Sequence, residues 1–385
     1  MDFDWTEEQL AFKQSVLEFG KRALSGDISA REREGEFSRE LWQRRAEFGI
    51  LGLPLPVEFG GQDADILSTM LAMETLGYTC RDQGLLFSIH AHMWAVQAPI
   101  VAYGTEEQKQ RFLHGLADGS IIGAHGMSEP DSGSDAFKLR TRAVKRGDVY
   151  VLNGTKMWVT NAPIADLFVI FATMDPAQGM WGVTAFLAEK GTKGLTVGNP
   201  IEKMGLTTSP MAEVILEDCE IPETNLLGRE GQGVPVFSHS MGWERSCILA
   251  SMVGGMQWQL EQSIRYSRER KQFGKRLGDF QLNATKIVDM KVRLETSRLL
   301  LYKAATAQAK GKDVTLEAAI AKLYISEAAV QSGLDAIQLH GGYGYAREYG
   351  MEQTLRDAVG GRIYSGTSEI QRMIIARHLG LSPLS

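Results

Sequence analysis

Cysteine is scarce in this 385-residue chain, with only Cys80, Cys219 and Cys247. The three lie far apart without metal-ligand spacing, so neither a disulfide framework nor a metal site is expected. The chain suits a reducing compartment, and the cysteines read as small packing residues. A charge excess is also missing: the formal net charge is −6 and the pI near 5.8, which gives no electrostatic reason to approach nucleic acid or an anionic membrane. Long apolar runs are absent too. The longest uncharged stretch, Gln83 to Thr105, is broken by His90, His92, Gln97 and Pro99, a poor membrane span. The opening Met1-Asp2-Phe3-Asp4-Trp5-Thr6 has no basic region followed by an apolar one, hence no signal-peptide form. A cytoplasmic protein is the expectation. What is present is ordinary, 44% apolar and 23% charged residues, enough to bury a large core in two or three layers or domains.

No internal repeat stands out, but three pattern regimes do. Residues 1–120 read as helical: Thr6 to Gln9 has capping-box form, Ser38 before Glu40-Leu41-Trp42 marks a second start, and Pro54, Pro56 and Gly60-Gly61 break the run before helices resume near Ile66. Over residues 121–230 short β-type segments take over, among them Val149–Leu152, Lys156–Thr160, Leu167–Ala172, Val183–Leu187 and Glu213–Leu216. Asn153-Gly154 between the first two predicts a type I′ hairpin turn. Glycines from 228 to 233 then lead into long helices, about Val234–Arg270, Leu282–Lys310 and Thr315–Leu339, which predict a bundle over residues 231–385. The fold class is mainly α with a central β domain. A Rossmann fold is unsupported, because no Gly-x-Gly-x-x-Gly follows an early strand and strands do not alternate with helices.

Five blocks carry chemistry. Met127-Ser128-Glu129-Pro130-Asp131-Ser132-Gly133-Ser134-Asp135 is a binding loop or a plain turn. In Lys156-Met157-Trp158-Val159-Thr160-Asn161, the indole is either core or a cover for one face of a planar ligand, with Thr160 at its edge. Arg268-x-Arg270-x-x-Phe273-Gly274 with Gln281 can pair with a pyrophosphate, or is a solvated helix end. Gln338-x-x-Gly341-Gly342-x-Gly344-Tyr345 has more glycine than a helix cap requires. Gly361 to Gln371 places hydroxyls and glycine before a helix whose free N–H groups favour a polar ligand.

Together, in this order, the five blocks resemble the acyl-CoA dehydrogenase family. The Thr-Glu-Pro-x-x-Gly-Ser-Asp loop of that family is matched from Ser128 to Asp135 with Ser for Thr, and its Trp-Ile-Thr contact by Trp158-Val159-Thr160. The resemblance implies three domains (N-terminal helical, middle β-barrel-like, C-terminal four-helix bundle), a homotetramer, and FAD. By the same resemblance Met127, Ser128, Ser134, Trp158 and Thr160 would contact the isoalloxazine or thioester arm. Arg270, Phe273, Gln281, Gln338, Gly342, Thr367 and Glu369 would meet the pyrophosphate and adenosine ends, partly across a subunit boundary.

The implied reaction removes an α-proton while a hydride leaves the β-carbon, and it needs a base. Many family members carry that glutamate at the position of Ser365, whose hydroxyl is too weak a base. A minority carries it on the first bundle helix, at a position matching Glu244. The spacing agrees: Phe237, Met241, Glu244, Ile248, Ser251 and Gly255 share one helical face, where a lone carboxylate is desolvated and its pKa raised. The competing reading is a structural ion pair, but Arg245, one position away, is expected to point elsewhere.

Met241-Gly242-Trp243-Glu244-Arg245 and Ile363 to Ser368 are most similar to a family branch that oxidises prolyl groups held as thioesters on peptidyl carrier proteins. Trp243, Met93 and Trp94 would restrict the acyl pocket, or are ordinary core. Ser134, Trp243, Arg245, Ser365 and Gly366 are the substrate-side candidates. These motifs do not separate CoA from a carrier protein, so a CoA-linked short or branched-chain dehydrogenase serving an electron-transfer flavoprotein stands as the alternative. An oxygen-using oxidase and a non-catalytic flavin-binding module are the remaining readings.

Overall fold

The structure, a computed structural model, describes residues 4–23 and 28–381; Met1 to Phe3 of the N-terminal segment read above lie outside the described residues. The N-terminal region folds as α1 (Glu7–Ala23), α2 (Ile28–Glu34), α3 (Arg39–Glu47), α4 (Ile66–Thr79), α5 (Gln83–His92), α6 (Ala98–Tyr103) and α7 (Glu106–Ala117). Both expected starts are capped: the Thr6 and Gln9 side chains exchange hydrogen bonds with each other's backbone N–H, and Ser38 accepts from the Leu41 N–H at 3.2 Å. Helices α5 and α6 are joined by a π-helical turn, Met93–Gln97. The continuous run Gln83–Tyr103 is long and apolar enough to cross a membrane by composition, yet 78% of its 18-residue apolar stretch is buried inside the fold. Its polar groups find partners there: His92 bonds the Leu116 carbonyl and Gln97 the Leu51 carbonyl, each at 2.9 Å.

Strands β1 (Gly123–Gly126), β2 (Arg142–Arg146), β3 (Val149–Thr160), β4 (Leu167–Thr173), β5 (Val183–Glu189), β6 (Leu195–Val197), β7 (Met211–Pro222) and β8 (Leu226–Leu227) form one sheet. Their order is 6-7-3-2-4-5-8, with β1 parallel to β4. The hairpin expected at Asn153-Gly154 does not form. Strand β3 runs straight through those residues, paired with β7, and the two become a bulge where the register shifts between Leu152 and Gly154. The reason is tertiary: β7 is 12 residues long and offers a partner to both halves of β3. Asn153 and Asp218 exchange hydrogen bonds of 3.2 and 2.8 Å that lock the bulge. The chain reverses instead between β2 and β3 at Gly147, φ 64°.

The C-terminal region comprises α8 (Gly233–Cys247), α9 (Ala250–Glu269), the short hairpin β9 (Lys271–Gln272) and β10 (Lys275–Arg276), then α10 (Gln281–Ala309), α11 (Thr315–His340), α12 (Gly342–Tyr345), α13 (Met351–Gly360) and α14 (Ser368–His378). The single helix expected over Val234–Arg270 is two, broken at Ile248–Leu249. A shared apolar core joins the two helical regions, bringing Trp42, Met73, Leu85 and Trp94 against Leu249, Val253, Leu294 and Ile325. A second core packs Met127, Val169 and Phe171 of the sheet region against Val236 of α8. Helix α8 thus lies where sheet and bundle meet.

Candidate active site

Glu244 sits on that helix, buried at 8% exposure, in line with buried Met241, Ile248 and Ser251. Burial pushes its carboxyl up to about 7, against the opposing pull of Arg245, a hydrogen bond from the Ser365 side chain, and Lys322. As expected, Arg245 makes no ion pair with Glu244 among the described residues. Its Nε donates to the Ser365 carbonyl at 3.1 Å, so Glu244 and Arg245 reach the same turn by different atoms, and the cation is spent on a carbonyl rather than on an ion pair with its neighbour.

That turn is unusual: Ser365 and Gly366 have φ of 53° and 91°, and for Ser365 the left-handed conformation is uncommon and requires support. Support comes from side chains. Lys322 Nζ donates to the Gly366 carbonyl at 2.6 Å, and Gln371 Nε2 donates to the carbonyls of Ser365 and Gly366 at 3.3 and 2.9 Å. Thr367 caps α14 by accepting from the Ile370 N–H. Lys322 was not anticipated; its signal was a lone cation among Ala318, Ala321, Ile325 and Ala329 on the inward face of α11.

Beside Glu244 two indoles stack. The Trp94 and Trp243 rings are 5.5 Å apart and within 3° of parallel. Trp94 Nε1 donates to His90 Nδ1 at 3.0 Å and His90 Nε2 meets Ser251 Oγ at 3.2 Å. His90 is therefore the neutral Nε2–H tautomer, and burial holds its pKa down to about 3. Trp243 Nε1 donates to His239 Nε2 at 3.2 Å. Of the three residues weighed as pocket walls or core, Met93 and Trp94 are both buried in the shared core and Trp243 packs against it. A cavity one turn beyond Glu244 is lined by Phe87, Ile248, Ser251, Met252 and Tyr364.

On the sheet side, Met127 is buried, Ser128 half-buried and Ser134 exposed. The loop is anchored by Glu129, which accepts from the Arg140 and Thr141 N–H groups at 2.6 and 3.0 Å and from Lys156 Nζ at 2.7 Å. Burial opposes the charge on Glu129, but Lys156 and these donors outweigh it and hold the carboxyl below its ordinary range; this buried pair escaped the sequence reading. Trp158 is not core: it is 56% exposed with φ 60°, at a second register shift between β3 and β7. Thr160 follows at the strand end, half-buried.

The remaining candidates lie apart. Arg270 ends α9 with its guanidinium 5.8 Å from the Tyr343 ring centroid, next to Gly342. Phe273 is 93% exposed, and Gln281, Gln338 and Glu369 are exposed as well. An FAD-sized ligand fits what the chain offers. Trp158 presents an open indole face, the β1 residue His125 has a buried Nε2 without a hydrogen-bond partner among the described residues, and added Cβ atoms at Gly341 and Gly342 would meet only open space.

Comparison with known proteins gives matches over nearly the whole length. Models described as the acyl-CoA dehydrogenase N-terminal, middle and C-terminal domains match residues 6–120, 124–219 and 231–380. An L-prolyl-(peptidyl-carrier protein) dehydrogenase of Serratia sp. is 42% identical over 381 residues, 99% of each chain. The crystal structure of the prolyl acyl carrier protein oxidase AnaB has a TM-score of 0.97 and 49% identity, covering 98% of this chain and 100% of that one. PigA with FAD and proline has a TM-score of 0.97 and 42% identity, covering 99% and 100%.

Proposed function

This chain belongs to the acyl-CoA dehydrogenase family, and from that premise we propose that it is an FAD-dependent dehydrogenase of a short acyl or aminoacyl thioester, such as prolyl, borne on a peptidyl carrier protein in a natural-product pathway. The observation that carries the reading is Glu244: a buried carboxylate poised near neutral pH, beside the serine that stands where many relatives hold their base. Full-length identity of 42% to a prolyl-carrier dehydrogenase and 49% to a prolyl-carrier oxidase supports the substrate class.

In this reading the Glu244 carboxylate takes the α-proton, and FAD when bound supplies the acceptor for the β-hydride. The Ser365 hydroxyl steadies the carboxylate. Ser134, Trp243, Arg245 and Gly366 complete the surroundings of the thioester and acyl group. Met127, Ser128, Trp158 and Thr160 hold the flavin ring; Arg270, Phe273, Gln281, Gln338, Gly342, Thr367 and Glu369 hold the distal end of FAD, shared with a second subunit of a homotetramer. The reading includes domain limits of 1–120, 121–230 and 231–385, a cytoplasmic site of action, and an electron-transfer flavoprotein or oxygen as final acceptor.

Anaerobic titration tests it. Prolyl-loaded carrier protein should bleach the bound flavin's visible band, and Glu244→Gln should keep FAD yet slow the bleaching by at least about a hundredfold. Bleaching by free acyl-CoA esters alone would overturn the carrier assignment, and near-parental rates in the variant would overturn the base.

A further inference from the structure

Helix α11 carries a fully buried lysine in a stretch of small and apolar residues. The Lys322 side chain is 0% exposed, its ammonium lies 5.9 Å from the Tyr364 ring centroid, and it donates to the Gly366 carbonyl at 2.6 Å. Taking an ammonium out of water costs several kcal/mol even after relaxation, so a neutral donor would be the cheaper way to hold a carbonyl. A neutral donor is already there: the Gln371 amide reaches the same oxygen at 2.9 Å. What Lys322 adds is charge.

We propose that Lys322 is a positioning residue for the base: it fixes the Ser365–Gly366 turn beside Glu244, and its positive charge favours the ionised carboxylate that accepts the proton. The inference rests on Glu244 being that base. The two residues lie on different helices, α11 and α8, and the turn before α14 connects them: Lys322 holds the Gly366 carbonyl, Arg245 holds the Ser365 carbonyl, and the Ser365 side chain lies close enough to Glu244 to favour its ionised form. The charged groups around the pair are Arg245 on α8, which repels Lys322, and Glu327 on α11 and Glu369 on α14, which attract it. Glu327 is occupied by Arg362 and the Ser368 hydroxyl, and Asp357 on α13 acts on Tyr364. Burial and Arg245 bring Lys322 down to about 7 while Glu244 pulls it up, so the lysine remains partly charged over the range in which Glu244 ionises.

The test is the pH dependence of flavin reduction by prolyl-loaded carrier protein in Lys322→Met and Lys322→Gln holoenzymes, with Glu244→Gln alongside. Both Lys322 variants should keep FAD, lose roughly tenfold to a hundredfold in limiting rate, and show the acidic limb of the profile displaced to higher pH, because Glu244 has lost a cation. Gln can still donate to the Gly366 carbonyl, so Lys322→Gln should lose less rate than Lys322→Met with the same displacement. An unmoved limb in Lys322→Gln, or its failure to fold with FAD, would reduce Lys322 to a structural strut. Fast reduction in Glu244→Gln sinks the base itself, whereas a slow Glu244→Gln beside an unmoved Lys322→Gln limb sinks only the lysine's role.

Discussion

In the proposed mechanism a single carboxylate, Glu244, sets the working pH. The folded-state pKa of Glu244 lies at about 7, above its ordinary value of 4.5, so the base is ionised only as pH rises through neutrality. Flavin reduction should therefore climb with pH across that range, read by stopped-flow absorbance. Linkage gives the opposite sign for stability: the folded chain holds this proton more tightly than the unfolded one, so a cost develops as pH rises from 4.5 to about 7 and is complete above it. Glu244→Gln escapes the cost. Its thermal midpoint should exceed the parent's above pH 7, by up to about 3 kcal/mol of stability, and match it below pH 4.5. Ser365→Ala removes the hydroxyl that favours the carboxylate, and should move the acidic limb of the rate profile to higher pH while Glu244 remains the base.

At the scale of elements, two local irregularities shape the site. The π-helical turn Met93–Gln97 widens the helix where Trp94 stacks on Trp243, and such turns often mark functional positions. Trp94→Ala removes a buried indole at a cost of roughly 3–5 kcal/mol and leaves space beside Glu244; longer or branched thioesters should then gain on prolyl in competition assays. The bulge in β3 is the second irregularity. Gly154 has φ 151° and an added Cβ would lie 2.5 Å from Thr141 Oγ1, so Gly154→Ala should cost about 1–3 kcal/mol in denaturant unfolding. Downstream of it, the second register shift turns Trp158 outward, which periodicity within a strand does not foretell.

For the whole molecule, the exposed apolar residues of α10 are the telling surface. Val288, Val292 and Leu299 are 59, 56 and 54% exposed, at spacings of four and seven that place them along one side of a long helix. Apolar patches of this kind mark association surfaces, and a closed symmetric assembly would bury them. Val292→Glu should lower the mass found by light scattering. It should also weaken FAD retention, if Arg270 and Phe273 reach the cofactor of a second subunit.

Much was legible in the sequence because it is local. Helical and strand periodicities, the caps at Thr6 and Ser38, and motif order identified a helical–β–helical chain. The spacing of Phe237, Met241 and Glu244 put the carboxylate on an inward face. The bulge was not legible, since Asn153-Gly154 suits a hairpin until a long partner strand pairs with both flanks. Nor was the company of Glu244: Arg245 and Ser365 are 120 residues apart, Lys322 and Gly366 are 44 apart, and Glu129 and Lys156 look like unrelated surface charges until burial joins them. Sequence determined most of the elements and singled out Glu244 as the candidate base, because these follow from neighbours along the chain. Tertiary structure alone decided which distant charges and carbonyls surround it, because desolvation and hydrogen-bond geometry exist only once the helices and sheet have packed.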